Sequence, residues 1–133
     1  MPKPVRITDV RTYPLLIEGD ASSAFPVACP MSIYPEYRPS RPLWRDDFGP
    51  LLVKVETDAG VEGIGYTSMG SLTCAVSIEL HLKKLLVGQD PTRVERLNDI
   101  MIRSTYHQGR DGYLMHGISA LDLAVWDIRG KLA

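Results

Sequence analysis

The final sixteen residues, I-S-A-L-D-L-A-V-W-D-I-R-G-K-L-A from Ile118 to Ala133, constrain the fold most. They predict a helix with more apolar surface than a chain of 133 residues can cover. Leu114, Ile118, Leu121, Val125, Ile128 and Leu132 recur at helical spacing and make one stripe,. Met115, Ala120, Leu123, Ala124 and Trp126 lie off it and make a second apolar surface. A helix that is apolar nearly all round is buried on more than one side. Gly130 is followed by further helix-compatible residues, so it makes no convincing stop,. The expectation is a domain cut from a larger protein, whose remainder covers the second surface.

The β signals lie upstream. Val5 to Ile17 is rich in β-branched and apolar residues and predicts a first strand, with Pro14 tolerated at an unpaired edge,. Leu51–Thr57 and Val61–Thr67 flank Asp58-Ala59-Gly60, which reads as a three-residue hairpin connection,. Gly63 and Gly65 alternate on one face of the second hairpin strand, leaving room for a helix to come close,. Ser71 or Thr73 is expected to cap a helix running to Val87, with Ala75, Ile78, Leu82 and Leu85 as its stripe and Gly88 at its C-terminal end,. Asp90 is expected to cap the next, with Pro91 at its first position and Val94, Leu97 and Met101 facing inward,. The last helix starts near Gly112. Three strands followed by three helices make an α+β domain, a three-stranded antiparallel meander with a bundle of about three helices against it.

Several functions are excluded by what the sequence lacks. Fifteen basic residues balance sixteen acidic ones without a basic block, so neither nucleic acid nor an anionic membrane surface is an expected partner,. No stretch approaches the roughly 18 apolar residues that cross a membrane, and a cytoplasmic protein is expected. Cys29 and Cys74 have no metal-site spacing and read as reduced thiols,. His81, His107 and His116 include no i, i+3 or i+4 pair, so no metal site is expected among them,. Asp122 and Asp127 fall on different faces of one helix, which excludes a paired-carboxylate acid/base system,. With no nucleophile elbow and no phosphate-cradling glycine loop, no catalytic residue is expected in this chain.

The final helix also carries a resemblance. I-S-A-L-D-L-A-V-W-D-I-R-G-K is similar to the end of the N-terminal capping domain in the mandelate racemase and muconate lactonizing branch of the enolase superfamily. P-M-S-I-Y-P-E-Y-R-P-S-R, from Pro30 to Arg41, and G-R-D-G, from Gly109 to Gly112, look most like the rhamnonate dehydratases and related acid-sugar dehydratases. The resemblance implies that residues 1–133 are a capping (specificity) domain and that a C-terminal (β/α) barrel, absent from this chain, is its partner. It implies a Mg-dependent reaction in the full-length enzyme: abstraction of a proton α to a carboxylate, then loss of the β-hydroxyl. The metal ligands and the acid and base belong to the barrel. This chain alone is therefore expected to be inactive and to bind no Mg. The aspartates of the last helix are implied to be buried hydrogen-bonding anchors. A racemase or cycloisomerase would use the same cap, and a stand-alone, non-enzymatic interaction domain is the alternative from another class.

Candidate substrate contacts lie in a long loop, residues 18–49, which carries Pro26, Pro30, Pro35, Pro39 and Pro42 and is longer than a compact domain keeps for structural reasons,. Tyr34, Tyr37 and Trp44 beside Arg38, Arg41 and Arg45 argue for contact with a carboxylate or a hydroxylated ligand,. From the residues alone Arg41 reads as a solvated arginine; the resemblance makes it a two-pronged substrate contact, since the related dehydratases use an arginine at the end of the matching motif. Tyr34 and Trp44 either anchor the loop or stack on a sugar face. Met69, in Ser68-Met69-Gly70, is placed by the resemblance in a second capping loop that closes the site by shape. The chain departs from rhamnonate dehydratases in having no histidine before His81, so the expected substrate is an acid sugar rather than rhamnonate in particular. Pairing of the uncovered helix face between copies makes a homo-oligomer the expected assembly.

Overall fold

The computed structural model describes residues 4–15, 30–40 and 49–133. Strands β1 (Ile7–Pro14), β2 (Leu51–Thr57) and β3 (Glu62–Thr67) form an antiparallel sheet in the order β1-β2-β3. Alternation places Val10, Val53, Val55, Gly63 and Gly65 on the inner face, in register with one another,. β1 is shorter than the stretch Val5 to Ile17. Pro14 already pairs with Leu51, the first residue of β2, and beyond it the Leu15 N–H reaches across to the Pro50 carbonyl at 3.0 Å. Ile17 lies outside the described residues. The hairpin connection is one residue longer than Asp58-Ala59-Gly60. The Thr57 hydroxyl donates to the Val61 carbonyl at 2.7 Å, holding Val61 in the turn so that β3 begins at Glu62.

Helix α1 (Ser71–Ser77) continues through a π-helical turn (Ile78–Leu82) into α2 (Lys83–Leu86). Neither Ser71 nor Thr73 caps it. Gly70, in the left-handed region, precedes the helix, and the Ser71 N–H donates to the Gly49 carbonyl at 2.9 Å, so one donor of the first turn that the helix leaves unpaired is satisfied without a side chain,. The wide π turn shifts the inward stripe: Ile78, Leu82 and Leu86 are fully buried at spacings of four, and Leu85 is only partly buried,. Gly88 ends the helix as expected, and its N–H donates to the Ile7 carbonyl at 2.8 Å.

Asp90 does not cap the next helix. Its carboxylate accepts from the Thr92 N–H and hydroxyl at 2.9 and 2.7 Å in a local turn, and α3 (Val94–Ser104) starts three residues beyond Pro91,. Val94, Leu97 and Met101 face the core as their spacing indicated. The final helix, α4 (Tyr113–Leu132), starts after Gly112. Ile118, Leu121, Val125 and Ile128 are fully buried, while Leu114 and Leu132 at the ends of the stripe are partly so. The second apolar surface divides in two. Ala120 and Ala124 are buried against Gly65 and Gly63, so α4 is the helix those glycines admit, while Leu123 and Trp126 remain about half exposed.

α4 also closes the free edge of β3. The Asp127 carboxylate accepts from the Ile64 N–H at 2.9 Å, and the Lys131 ammonium donates to the Glu62 carbonyl at 2.8 Å and to Asp127 at 2.6 Å. One helical turn thus occupies two backbone groups that an edge strand would otherwise present to another chain. Asp122 accepts from the Asn98 side chain of α3 at 3.1 Å. Both aspartates are anchors, but half-buried rather than buried, because each reaches a partner at the rim of the helix.

Lys131 first, and then the Ile64 N–H, hold the Asp127 carboxyl below the ordinary value of 3.8, against the opposing effect of burial. A depressed folded value means that Asp127 contributes stability above the unfolded pKa, and that this is lost as the pH falls through the folded one. Asp127→Asn is therefore expected to flatten the fall in Tm on acidification below about pH 4. Asp9, held by Lys83, and Asp90, held by Thr92, are shifted the same way and should leave part of the dependence in place. Identical Tm-against-pH slopes in the two proteins would remove Asp127 from this account.

Candidate functional site

Of the four candidate contacts, Arg41 and Trp44 lie outside the described residues, as do Arg45 and Cys29. Tyr34 stands between two 3-10 turns, Pro30–Ile33 and Pro35–Tyr37. Its N–H donates to the Met31 carbonyl at 3.0 Å and its carbonyl accepts from Tyr37 at 3.2 Å. The run closes at Ser40, whose N–H and hydroxyl both donate to the Tyr37 carbonyl. These are consecutive turns, and the Tyr34 and Tyr37 rings are about half exposed. No hydrogen bond joins Tyr34 to Met69 among the described residues.

Met69 is more firmly placed. It and Ser68 are exposed at the tip of a bend whose two flanks, Thr67 and Gly70, are buried. The Thr67 hydroxyl donates to the Met69 carbonyl at 3.2 Å, lies 3.5 Å from the Met69 N–H, and meets His116 Nδ1 at 3.3 Å. Cys74 Sγ donates to the Tyr113 carbonyl at 2.9 Å and approaches the Met69 carbonyl at 3.8 Å. Gly70 has φ of +86°, and a Cβ there would come within 2.5 Å of the Tyr113 ring, so both backbone conformation and space demand glycine,. Burial pushes the Cys74 thiol up, and it acts as a small core donor, not a nucleophile,.

Beside this bend runs the uncovered side of α4. His116, Leu123 and Gly130 recur at intervals of seven, with Ser119 and Trp126 between them. Leu123 is 53% and Trp126 46% exposed. The Arg129 guanidinium lies 5.0 Å from the centre of the Trp126 ring and reaches Glu95 at 3.5 Å,. This face therefore combines an aromatic anchor, an aliphatic side chain and a stacked arginine, the composition of a buried contact.

Among the described residues no group of three or more His, Cys, Asp or Glu side chains could hold a metal ion. A Mg²⁺ site needs clustered oxygen donors, so the described residues do not fit that ion. His81 meets Ser104 at 3.1 Å and His107 stands edge-on to Tyr106. Among the described residues no helix is long and apolar enough to cross a membrane. The sequence reading missed the pairing of His116 with Thr67. The two are 49 residues apart, and no local pattern announces it.

The mandelate racemase / muconate lactonizing enzyme N-terminal domain model matches residues 49–133. The putative L-rhamnonate dehydratase of Caldivirga maquilingensis is 41% identical across 98% of this chain and 35% of its own length. Among solved structures, L-rhamnonate dehydratase from Gibberella zeae superposes with a TM-score of 0.81 at 27% identity, over 99% of this chain and 33% of that one. A racemase from Streptomyces coelicolor A3(2), with bound magnesium, gives 0.61 at 31% identity, over 64% of this chain and 26% of that one. The chain thus spans about a third of the length of the curated relatives it matches.

Proposed function

The chain belongs to the mandelate racemase and muconate lactonizing enzyme family, as an N-terminal capping domain of the enolase superfamily, and on that premise we propose that it is the specificity cap of an acid-sugar dehydratase. The observation that carries this reading is the 41% identity to a putative L-rhamnonate dehydratase across 98% of the chain, including the proline-rich loop. In this reading residues 1–133 are one domain of a longer enzyme. The α4 face bearing Leu123 and Trp126 docks on a C-terminal barrel, and Mg²⁺ is held there by residues of that barrel.

The cap's work is binding and exclusion of water. Arg41 holds the substrate carboxylate or a pair of hydroxyls with two parallel hydrogen bonds, Tyr34 and Trp44 border the sugar, and Met69 fills space over it. The reaction removes the proton α to the carboxylate and expels the β-hydroxyl as water, leaving a 2-keto-3-deoxy acid. Water excluded by the two loops strengthens every charge interaction in the site.

The test is a screen of the full-length enzyme against acid sugars, read as 2-keto-3-deoxy acid formed. Exchange of the α-proton with solvent deuterium and no keto acid would replace the dehydratase with a racemase, the activity of the Streptomyces coelicolor relative. Within the active enzyme, Arg41→Lys is expected to lower kcat/KM by about 1–3 kcal/mol of transition-state stabilisation, through loss of the two-pronged contact. Unchanged efficiency would take Arg41 out of the site.

A further inference from the structure

The Thr67 hydroxyl has one proton and three polar neighbours: the Met69 carbonyl at 3.2 Å, the Met69 N–H at 3.5 Å and His116 Nδ1 at 3.3 Å. If its proton goes to the Met69 carbonyl, the ring nitrogen of His116 must donate to the hydroxyl oxygen. The bend at Ser68 and Met69 is then fixed by a directional relay: His116 Nδ1–H to Thr67 Oγ1, and Thr67 O–H to the Met69 carbonyl. Thr67 is only 6% exposed, so without His116 its hydroxyl oxygen keeps only the long 3.5 Å contact from the Met69 N–H,. The Met69 carbonyl is approached from the other side by Cys74 Sγ, and Gly70 rests on the Tyr113 ring, so the tip is the only part of the bend facing outward.

We propose that His116 and Thr67 are positioning residues, which set where Met69 stands over the substrate. The consequence for substrate rests on the proposed role as a cap; the relay itself does not. His116 lies seven residues before Leu123 on the same side of α4, so the helix face that docks on the rest of the enzyme also carries the residue that holds the loop,. The position of Met69 is therefore tied to the docked helix rather than left to the two-residue bend.

Hydrogen exchange detected by mass spectrometry on the full-length enzyme tests this, with peptides covering residues 67–74 and 94–104 read in the same sample. His116→Phe and Thr67→Val are expected to speed exchange in 67–74 by about fivefold, the size of one lost neutral hydrogen bond, and to leave 94–104 unchanged. His116→Asn, whose amide N–H can stand where Nδ1–H does, should restore the parental rate. Unchanged exchange in 67–74, equal acceleration in both peptides, or no rescue by asparagine would each overturn the relay. In turnover, KM for the acid sugar is expected to rise about fivefold in the two disruptive variants, with kcat less affected. Faster exchange in 67–74 without a change in KM would leave the relay standing and overturn the placement of Met69 over substrate.

Discussion

Gly65→Val should leave the 133-residue chain largely unfolded at temperatures where the parent is intact. A Cβ built at Gly65 falls inside the Ala120 carbonyl group of α4, and one at Gly63 falls inside that of Ala124. These are backbone atoms four residues apart on a helix whose own ladder they complete, so no rotamer change can make room. Either α4 moves off the sheet along its whole length, or β3 leaves β2. Separating α4 from the sheet opens the contact that buries Ile118, Leu121, Val125 and Ile128. Ordinary overpacking costs about 1–3 kcal/mol, and a clash of backbone with backbone should exceed that range. A domain of this size has about 5–15 kcal/mol of stability in all. At a few degrees per kcal/mol, Tm should fall by about 15 °C or more.

Gly130→Ala is the control. Nothing lies within 4 Å of a Cβ there, and Gly130 is inside α4, so the substitution is expected to raise stability by about 0.5–1 kcal/mol,. Thermal unfolding by circular dichroism decides both cases. A Gly65→Val protein melting within a few degrees of the parent would mean that α4 and β3 do not meet through these glycines.

How much of the fold was legible in the sequence depended on range. Gly63 and Gly65 at alternate positions gave away both the strand and the helix that lies across it, because period two and the missing side chains are local facts,. The stripe of α4 was legible for the same reason. Helix starts were not: Ser71 is held by Gly49 and Asp90 turns back on Thr92, choices made by tertiary partners rather than by capping preference. The π turn at Ile78–Leu82, which moves burial from Leu85 to Leu86, has no sequence signal at all. For the site, Met69 was proposed through resemblance, but what holds it was not legible, since Thr67, His116 and Cys74 come together only once β3, α1 and α4 have packed. Arg41 and Trp44 lie outside the described residues, so their part stays a proposal.

The 133-residue chain by itself is expected to self-associate through α4, and substitutions on that helix should abolish it. Two apolar faces compete for this role. Leu72, Val76 and Leu80, all more than half exposed, line the outside of α1 and the π-helical turn after it, at intervals of four. Leu123 and Trp126, each about half exposed, line α4. The α4 face should dominate, because a tryptophan with a stacked arginine supplies more energy per residue than an aliphatic stripe,. Monomers rarely leave a contiguous apolar patch of more than a few hundred Å² in water. Pairing across a two-fold axis would cover one such face with its own copy. Leu123→Lys combined with Trp126→Lys should weaken association by about a hundredfold or more while barely changing Tm, since both side chains already face water. Val76→Lys should have little effect. Sedimentation velocity at several concentrations separates the cases. If the parent runs as a monomer throughout, α4 is sufficiently covered within the chain and its face is no docking surface. If Val76→Lys alone gives the monomer, the first helix is the interface. On the proposed role as a cap, the same α4 pair should also abolish acid-sugar dehydration by the full-length protein, by undocking the cap.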